Sequence, residues 1–268
     1  ILVFVLFSSH LGLAYSSEKL NVVASFSILG DLTERVGGKR IQVHTLVGPD
    51  ADAHVYQATP SDAKALAGAK LVIVNGFDYE GWINRLIKSS GYRGPVLVAG
   101  NGVKTLKKAQ DGKHKHHHSS VDPHAWQDLS NALRYVDNIA HALSAADPDG
   151  KPEYTANAEK YKKDIAALDS ELRNMFKNLP EERRKVVSSH DAFAYFGHAY
   201  GLRFIAPVGS NTDAEPSAAD VGRIIQQIRR EKISAVFMES ISDTRLLERI
   251  RKESGARIGG TLFSDSLS

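Results

Sequence analysis

Residues 153–179, EYTANAEKYKKDIAALDSELRNMFKNL, indicate how the rest of this chain is divided. Apolar side chains recur along this charged stretch at steps of three and four residues, at Tyr161, Ile165, Leu168, Leu172 and Phe176. That spacing predicts an α-helix with one apolar stripe. A single stripe on so long a helix is typical of a spine that packs across two lobes. We therefore expect residues 147–180, which begin with the turn sequence DPDGKP, to link an N-terminal lobe to a C-terminal lobe.

On both sides of this stretch, β-branched runs alternate with segments of helical spacing. Residues 20–26 (LNVVASF) and 70–75 (KLVIVN) are predicted strands before it, and residues 235–239 (AVFME) are one after it. Such alternation favours parallel sheets covered by helices. The sequence thus predicts an α/β protein with two Rossmann-like lobes, each with a parallel sheet, joined by one long helix. We assign residues 17–146 to the N-terminal lobe and residues 181–268 to the C-terminal lobe.

The composition limits the kinds of site that this chain can build. Its 268 residues contain 34 Lys and Arg against 31 Asp and Glu, a net charge of +3 that is too small to indicate nucleic-acid binding. There is no cysteine, which excludes disulfides, thiolate zinc sites, iron–sulfur clusters and cysteine nucleophiles. The 11 histidines and the carboxylates remain as metal ligands.

The first 16 residues, ILVFVLFSSHLGLAYS, form an interrupted apolar run. A bilayer-spanning helix needs about 20 apolar residues, so this run fits the apolar part of a secretory signal peptide better than a membrane anchor. The small residues Ala14 and Ser16 suit cleavage before Ser17. We expect residues 1–16 to be the remnant of a signal peptide, with a buried first strand as the alternative. Since cysteine is absent, we also expect a soluble exported protein without a lipid anchor, most simply in a bacterial periplasm.

Four candidate metal ligands follow predicted strands. In open α/β sheets, ligands bind beyond the carboxyl ends of the strands. The residues that meet this criterion are His54, His124, His190 and Asp265, and each is at least 66 residues from the next. Three imidazoles and one carboxylate suit four-coordinate Zn²⁺, with two ligands from each lobe closing a cleft. The spacing alone leaves the ordinary alternative open, since a histidine after a strand often only caps or packs.

Four segments around these residues resemble a known family. They are residues 48–66 (GPDADAHVYQATPSDAKAL), 122–126 (DPHAW), 188–202 (SSHDAFAYFGHAYGL) and 259–268 (GGTLFSDSLS). Together, in order and spacing, they are similar to the metal-ligand segments of the zinc and manganese solute-binding proteins of bacterial ABC importers, the ZnuA-like or TroA-type family. The similarity extends over essentially the whole chain after the predicted signal peptide.

The resemblance implies two α/β lobes bridged by a rigid helix, with one metal ion held at high affinity between them by His54, His124, His190 and Asp265. It implies transport rather than catalysis, in which a monomer captures the ion in the periplasm and delivers it to an inner-membrane ABC permease. Manganese-preferring members usually carry Glu at the third ligand position, where this chain has His190. A third imidazole favours Zn²⁺, because Mn²⁺ prefers oxygen donors.

Two carboxylates are candidates for supporting roles at this site. Asp122 is expected either to accept a hydrogen bond from a ligand imidazole or to cap the following turn. Glu239 ends a predicted strand and is expected to be an outer acceptor, a spare ligand or a structural residue. Among the other histidines, we expect His198 to pack in the fold, and His44 and His141 to be surface or structural residues.

Residues 111–120, DGKHKHHHSS, interrupt the N-terminal lobe with a polar loop. Its four imidazoles, at His114, His116, His117 and His118, resemble the variable insertion that precedes the second ligand in many zinc-specific members. Ordering a flexible chain costs conformational entropy, so we expect this loop to capture Zn²⁺ only loosely. A solvated linker or an expression tag is the alternative.

The sequence leaves three alternatives to zinc transport, namely manganese transport, a zinc-dependent hydrolase and an adhesin. Three histidines with an open fourth position would be catalytic, whereas Asp265 in that position would close the site. We expect the metal-free protein to present its ligands in a shallow cleft, and its affinity for Zn²⁺ to fall as the pH drops through the histidine range near 6.5. The resemblance also leads us to expect a further strand or helix after Ser268, and hence a sequence truncated at both ends.

Overall fold

Two four-stranded parallel sheets, one in each lobe, form the framework of the structure. The computed structural model describes residues 18–108, 120–213 and 215–267. The predicted signal segment and the four histidines of the predicted capture loop lie outside these ranges. The predicted α/β class, with two parallel-sheet lobes and one long helix, is confirmed. Within the described ranges, no helix combines the length and the apolarity that crossing a membrane requires.

The N-terminal lobe alternates strands and helices. Its strands are β1 (Leu20–Phe26), β2 (Ile41–Val47), β3 (Leu71–Val74) and β4 (Val96–Val98), in the order β2-β1-β3-β4. Its helices are α1 (Ser27–Gly37), α2 (Pro60–Ala67), α3 (Ile83–Ser90) and α4 (Leu129–Ala146). Every residue of β3 is buried, as expected for a central strand covered on both faces.

One apolar cluster joins the sheet of the N-terminal lobe to its helices. Leu29 of α1, Ile73 of β3, and Ile139 and Leu143 of α4 are fully buried members of this cluster. Burial of each such side chain stabilises the fold by about 1.5–3 kcal/mol. The loops at the carboxyl ends of β2 and β3 are therefore attached to a closely packed part of the lobe.

The linking helix, α5, follows α4 in the chain and spans Lys151–Lys177, so it begins two residues before the predicted start. Pro152 is tolerated in its first turn, because the first backbone N–H groups of a helix have no intrahelical acceptor. The N-terminal part of α5 packs on α1 and α4, with Tyr154, Ala158 and Ile165 buried. This half of the helix therefore belongs to the core of the N-terminal lobe.

Within the described residues, the C-terminal lobe has four strands and three helices. Its strands are β5 (Lys185–Val187), β6 (Arg203–Ile205), β7 (Ala235–Glu239) and β8 (Arg257–Leu262), in the order β6-β5-β7-β8. Its helices are α6 (Ala194–Tyr200), α7 (Ala218–Glu231) and α8 (Thr244–Ser254). The lobe limits of 17–146 and 181–268 stay predictions.

The predicted apolar stripe of α5 is only partly buried. Phe176 contacts Phe196 and Tyr200 of α6, with the ring centroids 5.8 Å apart in both pairs, so the helix does reach both lobes. Leu168, however, is 46% exposed, and the expectation that it belongs to the packed face was wrong. It falls between the part of the helix that packs on α1 and α4 and the part that packs on α6.

Strand β8 continues through a pair of glycines towards the gap between the lobes. The ladder with β7 shifts register between Val236 and Phe237, so that Phe237 pairs with Gly260. A Cβ atom at Gly259 would lie 2.5 Å from the ring of Phe237, and Gly260 has a φ of +143°. Both positions therefore require glycine.

Candidate metal centre

The four candidate ligands lie on loops that follow strands of both sheets. His54 follows β2, and His124 immediately precedes a short 3₁₀ turn at Ala125–Gln127 that leads into α4. His190 follows β5, and Asp265 follows β8. The carboxyl ends of parallel strands thus bring two ligands from each lobe to one place, as expected for this class of fold.

A carboxylate fixes the backbone of each histidine loop. In all three loops, a nearby carboxylate oxygen accepts a hydrogen bond from the backbone N–H of the histidine itself. The pairs are Asp52 with His54 (2.9 Å), Asp122 with His124 (3.0 Å) and Glu239 with His190 (2.9 Å). Two of these carboxylates act within two residues along the chain, as Asp side chains commonly do in turns, whereas Glu239 reaches His190 from the neighbouring strand β7.

The structure places one donor atom of each of the four side chains within 4.8 Å of the others. The Nε2 atoms of His54 and His124 are 3.3 Å apart. Asp265 Oδ2 lies 3.1 Å from His54 Nε2 and 3.2 Å from His190 Nε2, and its Oδ1 lies 3.4 Å from His124 Nε2. A tetrahedral zinc site with bonds of about 2.0–2.1 Å has donors about 3.3–3.4 Å apart. The separations of His54 from His124, and of Asp265 Oδ2 from His54 and His190, are therefore close to those of a four-coordinate site, while Asp265 approaches His124 through its other oxygen.

The four donor side chains are buried, which differs from the shallow cleft expected from the sequence. Their exposed fractions are 2% or less. Nε2 of His190 and both carboxylate oxygens of Asp265 have no hydrogen bond of acceptable geometry within the described parts of the chain. Buried polar atoms are normally paired, so atoms left in this state fit a cation bound between them.

Asp122 and Glu239 contact the outer nitrogens of two of the imidazoles. Asp122 Oδ1 lies 2.7 Å from His124 Nδ1, and Glu239 Oε2 lies 2.6 Å from His190 Nδ1. A carboxylate at Nδ1 holds the proton on that nitrogen and leaves the Nε2 lone pair free to face the other donors. Glu239 Oε1 also accepts from the backbone N–H of Ser189 at 2.7 Å, so this oxygen holds the backbone of the His190 loop while Oε2 faces the imidazole.

The carboxylates around the centre favour positive charge on two histidines. Burial by itself lowers the pKa of His124, but the charges of Asp265 and Asp122 outweigh it and raise the pKa to about 9. Burial likewise opposes the charged form of His190, but Asp265 and Glu239 raise its pKa well above the usual value. Without a metal ion, this centre therefore attracts protons to the positions that a cation would occupy.

The other two donors respond differently to the same surroundings. The pKa of His54 is lowered, chiefly by burial, which exceeds the opposing effect of Asp265. Burial raises the pKa of the Asp265 carboxyl, but the charges of His124 and His190 hold it well below its ordinary value. Asp265 is therefore ionised and available as an anionic donor throughout the neutral pH range.

Aromatic residues pack around these donors; the sequence indicates that Trp126 shapes the His124 loop and that Tyr195 packs in the fold, but sequence reasoning missed Tyr79. The ring of Tyr79 lies edge-on to His54, with the centroids 4.6 Å apart, and the ring of Trp126 contacts Tyr79 at 5.0 Å. Tyr195 of α6 reaches across to the other lobe, where its hydroxyl donates to the backbone carbonyl of Asp122 at 2.9 Å. Tyr79 follows a strand, β3, which is the criterion that selected the ligands, but an isolated tyrosine carries no metal-binding signal.

The remaining histidines of the described ranges lie away from the centre. His198 is exposed on α6, and the expectation that it packs in the fold was wrong, because it lies on the solvent side of that short helix. His44 on β2 and His141 on α4 are exposed, as expected for surface residues.

Comparison with known proteins identifies relatives of this chain. The model of the family described as "Zinc-uptake complex component A periplasmic" matches residues 22–268. The manganese-binding lipoprotein MntA of Halalkalibacterium halodurans is 32% identical over 256 residues, which cover 96% of this chain and 83% of that protein.

Two solved structures show the same fold. The periplasmic zinc-binding protein TroA from Treponema pallidum is 27% identical, with a TM-score of 0.87 over 94% of this chain and 91% of that one. The Mn-bound periplasmic metal-binding protein from Candidatus Liberibacter asiaticus is 30% identical, with a TM-score of 0.80 over 94% of this chain and 91% of that one. The relatives thus include proteins named for zinc and proteins named for manganese.

Proposed function

The chain belongs to the family of the periplasmic component A of zinc-uptake complexes, and we propose that it captures Zn²⁺ and delivers it to an ABC permease. Members of this family are metal-binding components of ABC importers and not enzymes. The observation that carries the choice of metal is the set of donors, three imidazole nitrogens and one carboxylate, gathered within 4.8 Å of one another with three of their separations at 3.1–3.3 Å.

Manganese is the second candidate because relatives such as MntA are named for binding it. Mn²⁺ prefers carboxylate, carbonyl and water oxygens in octahedral geometry, whereas this centre offers mostly nitrogen. Divalent ions also bind N/O sites in the order Mn²⁺ below Zn²⁺, so three imidazoles favour zinc in affinity as well as in geometry.

Asp265 distinguishes a transport site from a hydrolytic one. A catalytic zinc keeps an open position for water, usually beside three protein ligands. Here the carboxylate oxygens of a fourth protein side chain, Asp265, lie 3.1–3.4 Å from the Nε2 atoms of the three imidazoles. With Asp265 in place, the ion is enclosed by protein and is carried rather than used for chemistry.

Location, oligomeric state and initial capture are proposed on the basis of the sequence. We place the exported protein in the periplasm as a monomer; relatives such as MntA are named as lipoproteins. Loose Zn²⁺ capture is assigned to His114, His116, His117 and His118. Capture at these imidazoles would precede transfer to the central site.

Competition between the two metals tests the proposal. The untagged chain, with the four loop histidines replaced by Ser so that only the central site is counted, is dialysed against equimolar Zn²⁺ and Mn²⁺ and then subjected to elemental analysis. We expect one equivalent of zinc and little manganese. One equivalent of manganese with little zinc would overturn the choice of metal in favour of manganese transport.

X-ray absorption at the zinc edge of the same sample tests the assignment of ligands. We expect nitrogen and oxygen neighbours at about 2.0–2.2 Å in four-coordinate geometry. His198→Ala is the matched control, because this histidine is exposed and lies on α6 away from the centre. Its spectrum and stoichiometry should equal those of the unchanged protein.

A further inference from the structure

The segment that carries Asp265, residues 264–267, makes its hydrogen bonds mainly with the other lobe. We call this segment the Asp265 loop. The backbone carbonyl of Ser264 accepts from the Gln127 side-chain amide at 2.7 Å and from the Trp126 indole N–H at 3.1 Å. Both donors belong to the N-terminal lobe, whereas the Asp265 loop continues strand β8 of the C-terminal lobe.

The other end of the Asp265 loop is held by the same lobe. The backbone N–H of Asp50 donates to Ser266 Oγ at 2.5 Å, and the backbone N–H of Leu267 donates to Ser27 Oγ at 3.0 Å. Asp265 lies between these two attachments and is 1% exposed. The ligand is therefore held from both sides by contacts that cross between the lobes.

Gln127 lies three residues after His124, in the same 3₁₀ turn. The turn is fixed to the N-terminal lobe, because Asn131 of α4 donates to the backbone carbonyl of Ala125 at 3.2 Å. One short, fixed turn therefore holds the second ligand directly and the fourth ligand through the Ser264 carbonyl. Of the two donors to the Ser264 carbonyl, the Gln127 amide is the closer, at 2.7 Å against 3.1 Å for Trp126.

We propose that Gln127 is a positioning residue for metal capture, which holds the Ser264 carbonyl so that Asp265 stays against the three imidazoles. The inference rests on the proposed function, in that it takes the four donors to be metal ligands. Gln127 itself does not contact the ion. Its loss removes one of the two hydrogen bonds to the Ser264 carbonyl and loosens the hold on Asp265, so the ion dissociates faster. Association, which begins at the imidazoles, changes little.

Gln127 is a better test position than Trp126, which donates to the same carbonyl. The Trp126 ring packs on Phe26 and Tyr79, so its replacement would disturb the core as well as the hydrogen bond. Gln127→Met keeps the length of the side chain and removes the donor. Gln127→Glu keeps polarity and size but presents a carboxylate to the carbonyl, and so serves as a second variant that does not depend on how Met packs.

The experiment measures Zn²⁺ release into a chromophoric chelator by stopped flow, using the full chain. We expect both variants to release zinc at least about tenfold faster than the unchanged protein, the lower end of the effect of removing an outer partner of a metal ligand. Gln227→Met is the control, since Gln227 also donates a side-chain hydrogen bond, to the carboxylate of Glu231 at 3.0 Å, but lies on α7. It should leave the release rate unchanged.

A double-mutant cycle separates positioning from a general structural role. In an Asp265→Ala background, Gln127→Met should add little to the release rate, because both changes act through the same ligand. Full additivity, or an unchanged rate for both Gln127 variants in a protein that binds zinc, would overturn the inference. Failure of the unchanged protein to bind zinc would instead overturn the proposed function, so the two failures are distinguishable.

Discussion

The two lobes of this protein differ in what holds them together. The N-terminal lobe has an apolar cluster that draws on β1 to β3, α1, α4 and the linking helix, whereas the cluster in the described part of the C-terminal lobe has ten buried residues. Strand β1 pairs with β2 at six positions, but β5 pairs with β7 at one, Val187 with Val236. The first lobe is thus stabilised chiefly by apolar packing and a regular ladder.

Both lobes also bury polar groups, and those of the C-terminal lobe lie around His190, around Asp265 and at the end of β7. These include Ser188, Ser189, His190, Glu239, Ser264, Asp265 and Ser266. Buried polar and charged groups stabilise a fold only when they are paired, so this part of the lobe depends on contacts between lobes and on the bound ion. Because an ion at the centre would join ligands from both lobes, we expect it to stabilise the C-terminal lobe against unfolding.

Removal of one ligand from each lobe should have the largest effect on metal binding. We expect His54→Ala and His190→Ala each to weaken Zn²⁺ binding by more than about 100-fold, since loss of a ligand exceeds the cost of losing an outer partner. Competition calorimetry against a chelator measures the affinity, with His198→Ala as the control. Unaltered affinity in both variants would remove the assignment of the centre.

Replacing the outer carboxylates should have the next largest effect. In Glu239→Gln and Asp122→Asn, an amide can present N–H to the imidazole Nδ1, which favours the tautomer with the proton on Nε2 and blocks metal binding. We expect affinity to fall about 10–100-fold in each. Glu239→Gln should have the larger effect, because Glu239 accepts from two backbone N–H groups, of Ser189 and His190, whereas Asp122 accepts from that of His124 alone. Equal effects would contradict this larger role of Glu239.

Lowering the pH should weaken metal binding over a higher pH range than the ordinary histidine pKa near 6.5 predicts. The pKa of His124 is raised to about 9 in the metal-free centre. The protonated imidazole must lose the proton on Nε2 before that nitrogen can bind the metal while Nδ1 faces Asp122. Because the protonated form competes below that pKa, affinity should already fall between about pH 8 and pH 6, by about tenfold per unit for each proton released.

Calorimetry in two buffers of different ionisation enthalpy counts the protons released on Zn²⁺ binding. We expect release at about pH 7.5, to which His54, with its lowered pKa, contributes little. Asp122→Asn should reduce the count, because it removes one of the charges that raise the pKa of His124. No proton release at this pH would contradict the charge state derived for the centre.

Matched substitutions in the two apolar cores should have the smallest effects. Ile139→Val in α4 and Ile250→Val in α8 each remove one methylene group from a fully buried site, at a cost of about 0.5–1.5 kcal/mol. Both tryptophans, Trp82 and Trp126, belong to the N-terminal lobe, so their fluorescence reports that lobe, whereas far-UV circular dichroism reports both.

In urea, without metal, we expect the circular dichroism transition to begin before the fluorescence transition. Ile250→Val should lower the urea concentration at the midpoint of only the earlier transition, and Ile139→Val that of only the later transition. Saturating Zn²⁺ should bring the two transitions together, because an ion bound to the folded centre stabilises the lobe that supplies half of its ligands. Coincident transitions in the metal-free protein would show that the lobes unfold as one unit.

Much of the fold could be predicted from the sequence, because it follows from local periodicity. Strand β1 and strand β7 occur at the predicted residues 20–26 and 235–239, and the linking helix begins within two residues of its predicted start. The exposure of Leu168 could not be predicted, since the helical spacing that selects a stripe does not show where one lobe stops and the next begins.

The candidate ligands were named from the sequence because each follows a strand and lies in a segment that resembles a metal-binding family. Residue type and position alone determined that imidazole and carboxylate, not thiolate, are the available donors. Only the tertiary structure decided the donor separations of 3.1–3.4 Å, the raised pKa of His124 and the hold of Gln127 on the Ser264 carbonyl. The physical reason is that these distances and contacts depend on how the two sheets face each other. In addition, every residue has a backbone carbonyl, so the identity of Ser264 does not indicate that its carbonyl accepts a hydrogen bond.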